Sequence, residues 1–323
     1  MIYYSHMAGT LLGIYIGHDS IKLAGLTAGS KPRLAGCKSI HIDAMLLGRG
    51  QLTDTGPVTK ALKQALAEAA PKALKPGPAI LALSESLLSR KVLELPASIS
   101  HEELRDAITV QSAEYLPLPI DEMELDFQVL GVQADGLIQQ VMVVAASSKL
   151  IGFYVKAIQD AGIRLEAIDT KPSALGRFLV PAKDKEAYVM LDIGSELSTV
   201  SIYHHGMVQV ASTVNLGGNI IKDPTTGKPD TEREAALIER LVSEVAGEVE
   251  HVVKFYINRS LDDEPVKQVL VTGGGSLMPG VTEQLAKALS MPMKPAKPPM
   301  TLPPFCDSSF NGALGAARYP YHG

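Results

Sequence analysis

Residues 11–26 read LLGIYIGHDSIKLAGL, and residues 188–203 read YVMLDIGSELSTVSIY. Each stretch is an apolar run that ends in an Ile-Gly pair, a few small or polar residues, and a second apolar run. This pattern is typical of a β-hairpin with a glycine-containing turn. A hairpin repeated in each half of the chain predicts two related domains that face each other across a cleft.

The two glycine turns also indicate what the cleft holds. Turns of this kind expose backbone N–H groups and hydroxyls, which suit phosphate oxygens. A third element, TGGGS at residues 272–276, stands between a predicted strand and a predicted helix. Its glycines let a planar group approach the backbone closely, next to a helix N-terminus. Each element alone fits an ordinary tight turn, but two opposed turns together can hold a polyphosphate from both sides.

Length, charge and composition indicate which classes of protein the chain does not fit. A length of 323 residues predicts about two domains. The net charge of −5 provides no basic field, so we expect no nucleic-acid partner. The two cysteines, Cys37 and Cys306, fit neither a disulfide framework nor a zinc site, and they suggest a reducing compartment. No apolar run is long enough to span a bilayer, so we expect no direct membrane insertion and no signal peptide.

The middle third has a different pattern. Residues 90–169 alternate in the order β-α-β-β-α-β, which predicts a compact α+β subdomain with a helix capped by Ser98 or Ser100. A long helix is predicted over 231–258, and the proline-rich residues 291–304 are predicted to be irregular.

Four stretches carry a resemblance to a known family. They are KVLELPASISHEELRDAITVQSAEYLPLPIDEMELDFQVLG (91–131), VMVVAASSKLIGFYVKAIQDAGIRLEAIDTKPSALGRFL (141–179), VKQVLVTGGGSLMPGVTEQLAKAL (266–289) and SFNGALGAARY (309–319). With them, the chain resembles the PilM family of type IV pilus assembly proteins, which belongs to the actin-like ATPase superfamily and is related to the division protein FtsA. The phosphate-1, phosphate-2 and adenosine motifs of that superfamily follow the same order as the two turns and the triple glycine.

The resemblance implies an α/β fold: the actin-like, ribonuclease H-like duplicated two-domain fold, with an FtsA-like displaced α+β subdomain. The expected first domain covers 8–186 with the subdomain inserted at about 86–168. The second domain covers 187–304, and a C-terminal helix within 305–320 returns to the first domain.

The resemblance further implies ATP and Mg²⁺ as cofactors. Asp192 is expected to hold the metal through water, and Lys22 corresponds to the phosphate-1 lysine of the family. No catalytic residue is assigned. The cofactor-binding residues that the resemblance implies are Gly17, His18, Asp19, Ser20, Lys22, Asp192, Gly194, Ser195, Thr199, Gly217, Gly218, Gly273, Gly274, Gly275 and Ser276.

The sequence departs from the family at two places. Tyr15 stands where the family has an aspartate beside the hydrated Mg²⁺. A neutral tyrosine supplies no anionic charge for a hard cation, although Asp19 offers partial compensation. Residues 219–229 are short and loop-like where the family has a longer helical segment beside the nucleoside. We therefore expect weak or lost hydrolysis and weakened nucleotide binding, because positioning and electrostatics supply most of phosphoryl-transfer catalysis.

The resemblance implies a cytoplasmic protein held at the inner membrane by partners and connected with twitching motility. A groove between the first domain and the subdomain would receive the N-terminal peptide of a PilN-like membrane protein, with Leu95 and residues 104–116 as candidate lining. Pilus motor ATPases are a further expected partner. Two alternatives stay open: an active ATPase or kinase of the superfamily, with Asp169 or Asp192 as base, and a filament-forming protein like FtsA.

Overall fold

The computed structural model describes residues 9–29, 31–42, 54–222, 232–261 and 264–319. The predicted loop over 219–229 lies partly outside these residues, as does the first residue of the predicted long helix.

The helices and strands follow one another in an order close to the prediction. In chain order they are β1 (Thr10–Ile16), β2 (Ser20–Thr27), β3 (Leu34–His41), α1 (Gly56–Ala67), β4 (Pro78–Leu83), β5 (Ser89–Pro96), α2 (His101–Ser112), β6 (Met123–Val132), β7 (Ile138–Ser147), α3 (Ser148–Asp160), β8 (Arg164–Thr170), α4 (Lys171–Leu179), β9 (Ala187–Ile193), β10 (Ser198–His204), β11 (Met207–Val214), α5 (Glu234–Arg259), β12 (Val266–Thr272), α6 (Val281–Ala288), β13 (Met293–Pro295) and α7 (Asn311–Ala317).

Two sheets have the same topology. The first has the order β3-β2-β1-β4-β8 and the second the order β11-β10-β9-β12-β13. In each, three antiparallel strands form a meander, and a fourth strand returns parallel to the first of them. Helix α1 covers the first sheet and the long α5 covers the second, each through a stripe of buried apolar residues. The duplication predicted from the two hairpins is therefore present in the fold.

The inserted subdomain consists of a three-stranded sheet and one helix. Its sheet, β5-β7-β6, packs against α2 through a small apolar core. The start of α2 is capped by Ser100 rather than Ser98, because the Ser100 hydroxyl accepts from the Glu103 N–H and the Glu103 carboxylate accepts from the Ser100 N–H.

The predicted β-α-β-β-α-β unit over 90–169 is wrong in its last two elements. Strand β8 pairs in parallel with β4 of the first sheet, and α3 joins α1 through a hydrogen bond from the Thr59 hydroxyl to the Ala157 carbonyl oxygen. The subdomain sheet thus covers 89–147, rather than about 86–168. The physical reason is that β4 has a free edge after β1 has paired, and β8 satisfies its backbone groups.

The predicted irregular stretch 291–304 also needs a correction, because Met293–Pro295 forms β13 at the edge of the second sheet. Proline has no backbone N–H to donate, and it is tolerated at the end of an edge strand because no neighbouring strand needs that hydrogen bond. None of the helices in the described part of the chain combines the length and the apolar character needed to cross a bilayer.

Helices α4 and α7 lie between the two sheets, in one buried cluster with residues of β2 and β9. Gly13 allows α7 to touch β1, since a Cβ at position 13 would lie 1.8 Å from the Ala313 carbonyl oxygen. A Cβ at Gly176 of α4 would lie 2.0 Å from a ring carbon of Tyr203. The C-terminal helix therefore returns to the first sheet, and α4 starts at the base of the space between the domains.

Candidate functional site

The two glycine turns and the triple glycine line one cavity. Its volume is about 750 Å³, within the usual range for small-molecule sites. The structure brings together there most of the residues expected to bind a cofactor: Gly17, His18, Asp19, Ser20, Lys22, Gly194, Ser195, Gly218, Gly273, Gly274 and Gly275.

The other four expected residues lie elsewhere. Asp192 and Thr199 line a smaller cavity of about 290 Å³ behind the first, and Tyr15 and Lys171 line both cavities. Gly217 and Ser276 line neither. A Cβ at Gly217 would lie 2.6 Å from the Ser195 carbonyl carbon, and the Ser276 hydroxyl donates to the Gly273 oxygen at 2.6 Å. Gly217 and Ser276 therefore support the turns from outside the cavities.

The first turn places a lysine in the cleft. The Gly17 N–H donates to the Ser20 carbonyl oxygen at 2.9 Å, which closes the turn. The Lys22 ammonium donates to the Ser20 hydroxyl at 2.7 Å. Burial, followed by the nearby ammonium of Lys171, lowers the pKa of Lys22 below its ordinary value.

The two turns touch each other across the cleft. The Asn219 side-chain amide donates to Asp19 at 3.3 Å and to Glu196 at 2.8 Å. Burial alone raises the pKa of Asp19, but hydrogen bonds with Ser195, Asn219 and Ser20 and the charge of Lys22 together outweigh burial and leave that pKa below its ordinary value. Asp19 is therefore an ionised link between the domains, so its carboxylate is already engaged by second-domain side chains.

The triple glycine packs directly on the second turn. Gly273 has a φ of 89°, and a Cβ there would lie 2.3 Å from the Ile193 carbonyl oxygen. A Cβ at Gly275 would lie 2.3 Å from a methyl carbon of Ile193. Only glycine meets both the backbone conformation and the close approach at position 273.

The base of the cleft holds a buried ion pair. Lys171 Nζ lies 2.5 Å from Asp192 Oδ2, and the two side chains are 8% and 6% exposed. The same ammonium lies 3.9 Å from the centre of the Tyr15 ring. Burial alone lowers the pKa of Lys171, but the charges and hydrogen bonds of Asp192 and Tyr15 together outweigh burial and raise that pKa above its ordinary value. Lys171 is therefore a fixed positive charge between Tyr15 and Asp192.

Sequence reasoning missed Lys171. It is the first residue of α4, whose N-terminus is capped by the Thr170 hydroxyl through the Ser173 N–H. A cation in the first turn of a helix is electrostatically unfavourable unless a carboxylate compensates for it. A lysine at the start of a helix was therefore the feature of the sequence that could have identified Lys171. Four cleft residues that precede α7 were also not predicted: Phe305, Asp307, Ser309 and Phe310.

Two further candidates are corrected. Asp169, considered as a base, forms an ion pair with Arg177 and lines neither cavity. Leu95, Leu104 and Ile108, considered as groove residues, are buried in the core of the subdomain itself. Their side chains are therefore taken up by packing against their own sheet.

The residues around Asp192 do not fit Mg²⁺. Mg²⁺ requires oxygen ligands in a nearly octahedral arrangement. Here the Asp192 carboxylate is paired with an ammonium, and Tyr15 replaces the second anionic group. Across the described ranges, no group of three His, Cys, Asp or Glu residues is placed to hold a metal ion.

Comparison with known proteins agrees with this architecture. The family described as type IV pilus assembly protein PilM matches residues 13–303, which is most of the chain. This chain belongs to the PilM family. A solved structure of a PilM–PilN type IV pilus biogenesis complex is similar to it over 98% of this chain and 100% of that chain, with a TM-score of 0.82 and 22% identity. The predicted actin-like α/β fold is confirmed, and the chain is a type IV pilus assembly protein of that fold.

Two curated relatives are cell division proteins. FtsA of Bacillus subtilis (strain 168) is 24% identical over 47% of this chain and 34% of its own length. FtsA of Neisseria meningitidis serogroup B (strain MC58) is 22% identical over 58% of this chain and 59% of its own length. The PilM-family chain therefore spans between about a third and three fifths of the division proteins that it matches.

Proposed function

We propose that this PilM-family protein is a cytoplasmic assembly scaffold, peripheral at the inner membrane, that binds the N-terminal cytoplasmic peptide of a PilN-like protein. The observation that carries the proposal is the similarity over 98% of the chain to the PilM–PilN complex structure. Through the peptide, the scaffold would connect the pilus motor ATPases to the membrane-embedded components.

The junction between the first domain and the subdomain is the proposed peptide site. Residues 113–122 lead from α2 to this junction, because Met123 pairs with Ser147 directly before α3. Beside it, the Ser148 hydroxyl donates to Glu124 at 3.1 Å. Leu118 is 39% exposed within that segment. An extended peptide there would gain backbone hydrogen bonds and apolar contacts.

The cleft is proposed to hold a nucleotide with weak or no hydrolysis. Its volume, the two turns and the Lys22 ammonium suit a phosphate tail, and a nucleotide would stabilise the closed pair of domains. Fast hydrolysis needs a positioned metal and an oriented water molecule. Asp192, the carboxylate expected to hold the metal, is paired with the Lys171 ammonium, and Tyr15 supplies no anionic charge beside it.

The peptide proposal is tested by titrating the full chain with a synthetic N-terminal peptide of the PilN-like protein from the same organism, by calorimetry. We expect saturable one-to-one binding that a scrambled peptide does not reproduce. Absence of binding with folded protein would contradict the scaffold role.

Matched variants locate the site. Leu118→Asp places a charge at the junction, while Leu137→Asp does so at the opposite end of the β6–β7 hairpin, where Leu137 is 68% exposed. We expect the first to weaken peptide binding by about tenfold or more, and the second to leave it unchanged. Equal effects of the two variants would place the peptide elsewhere.

A further inference from the structure

The site where the superfamily holds its metal contains a lysine of the protein itself. We propose that the cleft binds the phosphate tail of a nucleoside di- or triphosphate without a divalent metal ion, and that the Lys171 ammonium acts as the cation between Asp192 and the phosphates. The inference rests on the proposed nucleotide site and specifies how that site recognises its ligand.

The first argument is the position of Lys171. Its side chain lines both the large cavity with the two turns and the small cavity with Asp192. A lysine ammonium has three donors. Asp192 engages one and the Tyr15 hydroxyl another, which leaves a third for an oxygen atom in the cleft.

The second argument is the charge balance. Lys171 and Asp192 neutralise each other, and Lys22, Lys38 and Lys222 also line the large cavity. Lys38 is paired with Glu68, whereas Lys22 is half-buried on the Ser20 hydroxyl at the first turn. Three carboxylates also line the cavity, and each has a partner: Asp19 accepts from Asn219, Glu68 is paired with Lys38, and Asp307 accepts from the Ser309 N–H. A phosphate chain between Lys22 and Lys171 would therefore meet ammonium donors on both sides.

The third argument is the cost of a metal. A divalent ion can bind Asp192 only if the buried ion pair breaks. The Lys171 ammonium would then either lie next to the ion, which repels it, or stay buried without a counter-charge. Breaking a buried pair by removing one partner is strongly unfavourable. The Tyr15 ring covers the ammonium and offers the ion no anionic ligand in exchange.

The experiment is calorimetric titration of the full chain with ADP and with ATP, once in Mg²⁺ and once in EDTA. We expect dissociation constants that agree within about twofold between the two conditions. Affinity that disappears in EDTA overturns the inference and leaves a metal-dependent nucleotide scaffold. Absence of nucleotide binding in both conditions also overturns it.

Variants test the role of Lys171. Lys171→Met/Asp192→Asn removes both buried charges, so it avoids an unpaired charge that could prevent folding. We expect it to lose at least about tenfold in affinity for ADP in EDTA, while Lys156→Met, on the outer face of α3, binds as the wild type does. Wild-type affinity in the double variant overturns the inference.

Titration of the same preparations with the PilN-like peptide separates the two proposals. If the protein binds the peptide but does not bind nucleotide without a metal, only the inference about Lys171 is contradicted. If the protein does not bind the peptide, the scaffold role is contradicted.

Discussion

Lys171 Nζ lies 2.5 Å from Asp192 Oδ2, in an ion pair between the first residue of α4 and the end of β9. The strand belongs to the second sheet, whereas α4 follows directly on β8 of the first. Both side chains are almost fully buried. The pair therefore ties the two sheets together at the base of the cleft.

The ion pair predicts strong coupling in stability. Lys171→Met and Asp192→Asn each leave an imperfectly paired polar group in a buried place, and we expect each to lower the free energy of unfolding by about 3–5 kcal/mol. The double variant should lose less than the sum of the two single losses. Urea denaturation of all four proteins measures this, and additive losses would show that the two groups do not interact.

Tyr15 alone does not explain the poor fit for Mg²⁺. Tyr15→Asp adds a carboxylate beside the Lys171 ammonium, so we expect it to join the existing pair and to create no Mg²⁺ dependence. Tyr15→Asp/Lys171→Gln leaves two carboxylates without the ammonium, so ATP binding should become Mg²⁺-dependent. Calorimetry of both variants with and without EDTA is the measurement. A gain of Mg²⁺ dependence in the single variant would assign the defect to Tyr15.

Nucleotide affinity should depend on alkaline pH through Lys22. Its pKa is lowered from the model-compound value of 10.5, so it loses its proton at a lower pH than a free lysine does. The protonated form binds phosphate, so affinity for ADP should fall across the alkaline range, beginning at a lower pH than that at which a free lysine loses its proton. Lys22→Arg keeps its charge throughout this range and should flatten the profile. A flat wild-type profile would show that Lys22 does not contact the ligand.

Gly13 should be essential for the docking of α7. In Gly13→Ala, the new Cβ meets the Ala313 backbone, and we expect a loss of about 2–3 kcal/mol in the free energy of unfolding. Gly152→Ala is the control, because a Cβ in the middle of α3 has no atom within 4 Å. It should be neutral or stabilise by about 0.5–1 kcal/mol. Thermal denaturation distinguishes the two, and a neutral Gly13→Ala would mean that α7 can move away from β1.

Local sequence was sufficient for the duplicated framework. Two apolar runs joined by Ile-Gly and a short polar turn have few alternatives to a β-hairpin. Because the same pattern occurs twice in the chain, it predicted two related domains. The order of turns and triple glycine then predicted one shared cleft, and Gly17, Gly194 and Gly273 do line it.

Contacts between distant parts of the chain could not be predicted from the local sequence pattern. The sequence of β8 predicts a strand, but no local feature indicates that this strand pairs with β4 rather than with a strand of the insertion. Likewise, Lys171 and Asp192 lie on different elements, so only the packing of α4 against β9 reveals that each neutralises the other. The Tyr15 substitution was visible in the sequence, but the cation beside it was not.

The most direct test is a crystal structure of the protein with ADP and Mn²⁺, collected at a wavelength where manganese scatters anomalously. We predict phosphate oxygens within hydrogen-bond distance of Lys171 and Lys22, the Lys171–Asp192 pair intact, and no manganese peak between Asp192 and the phosphates. A manganese peak at that position, with Lys171 turned away from Asp192, would contradict the account.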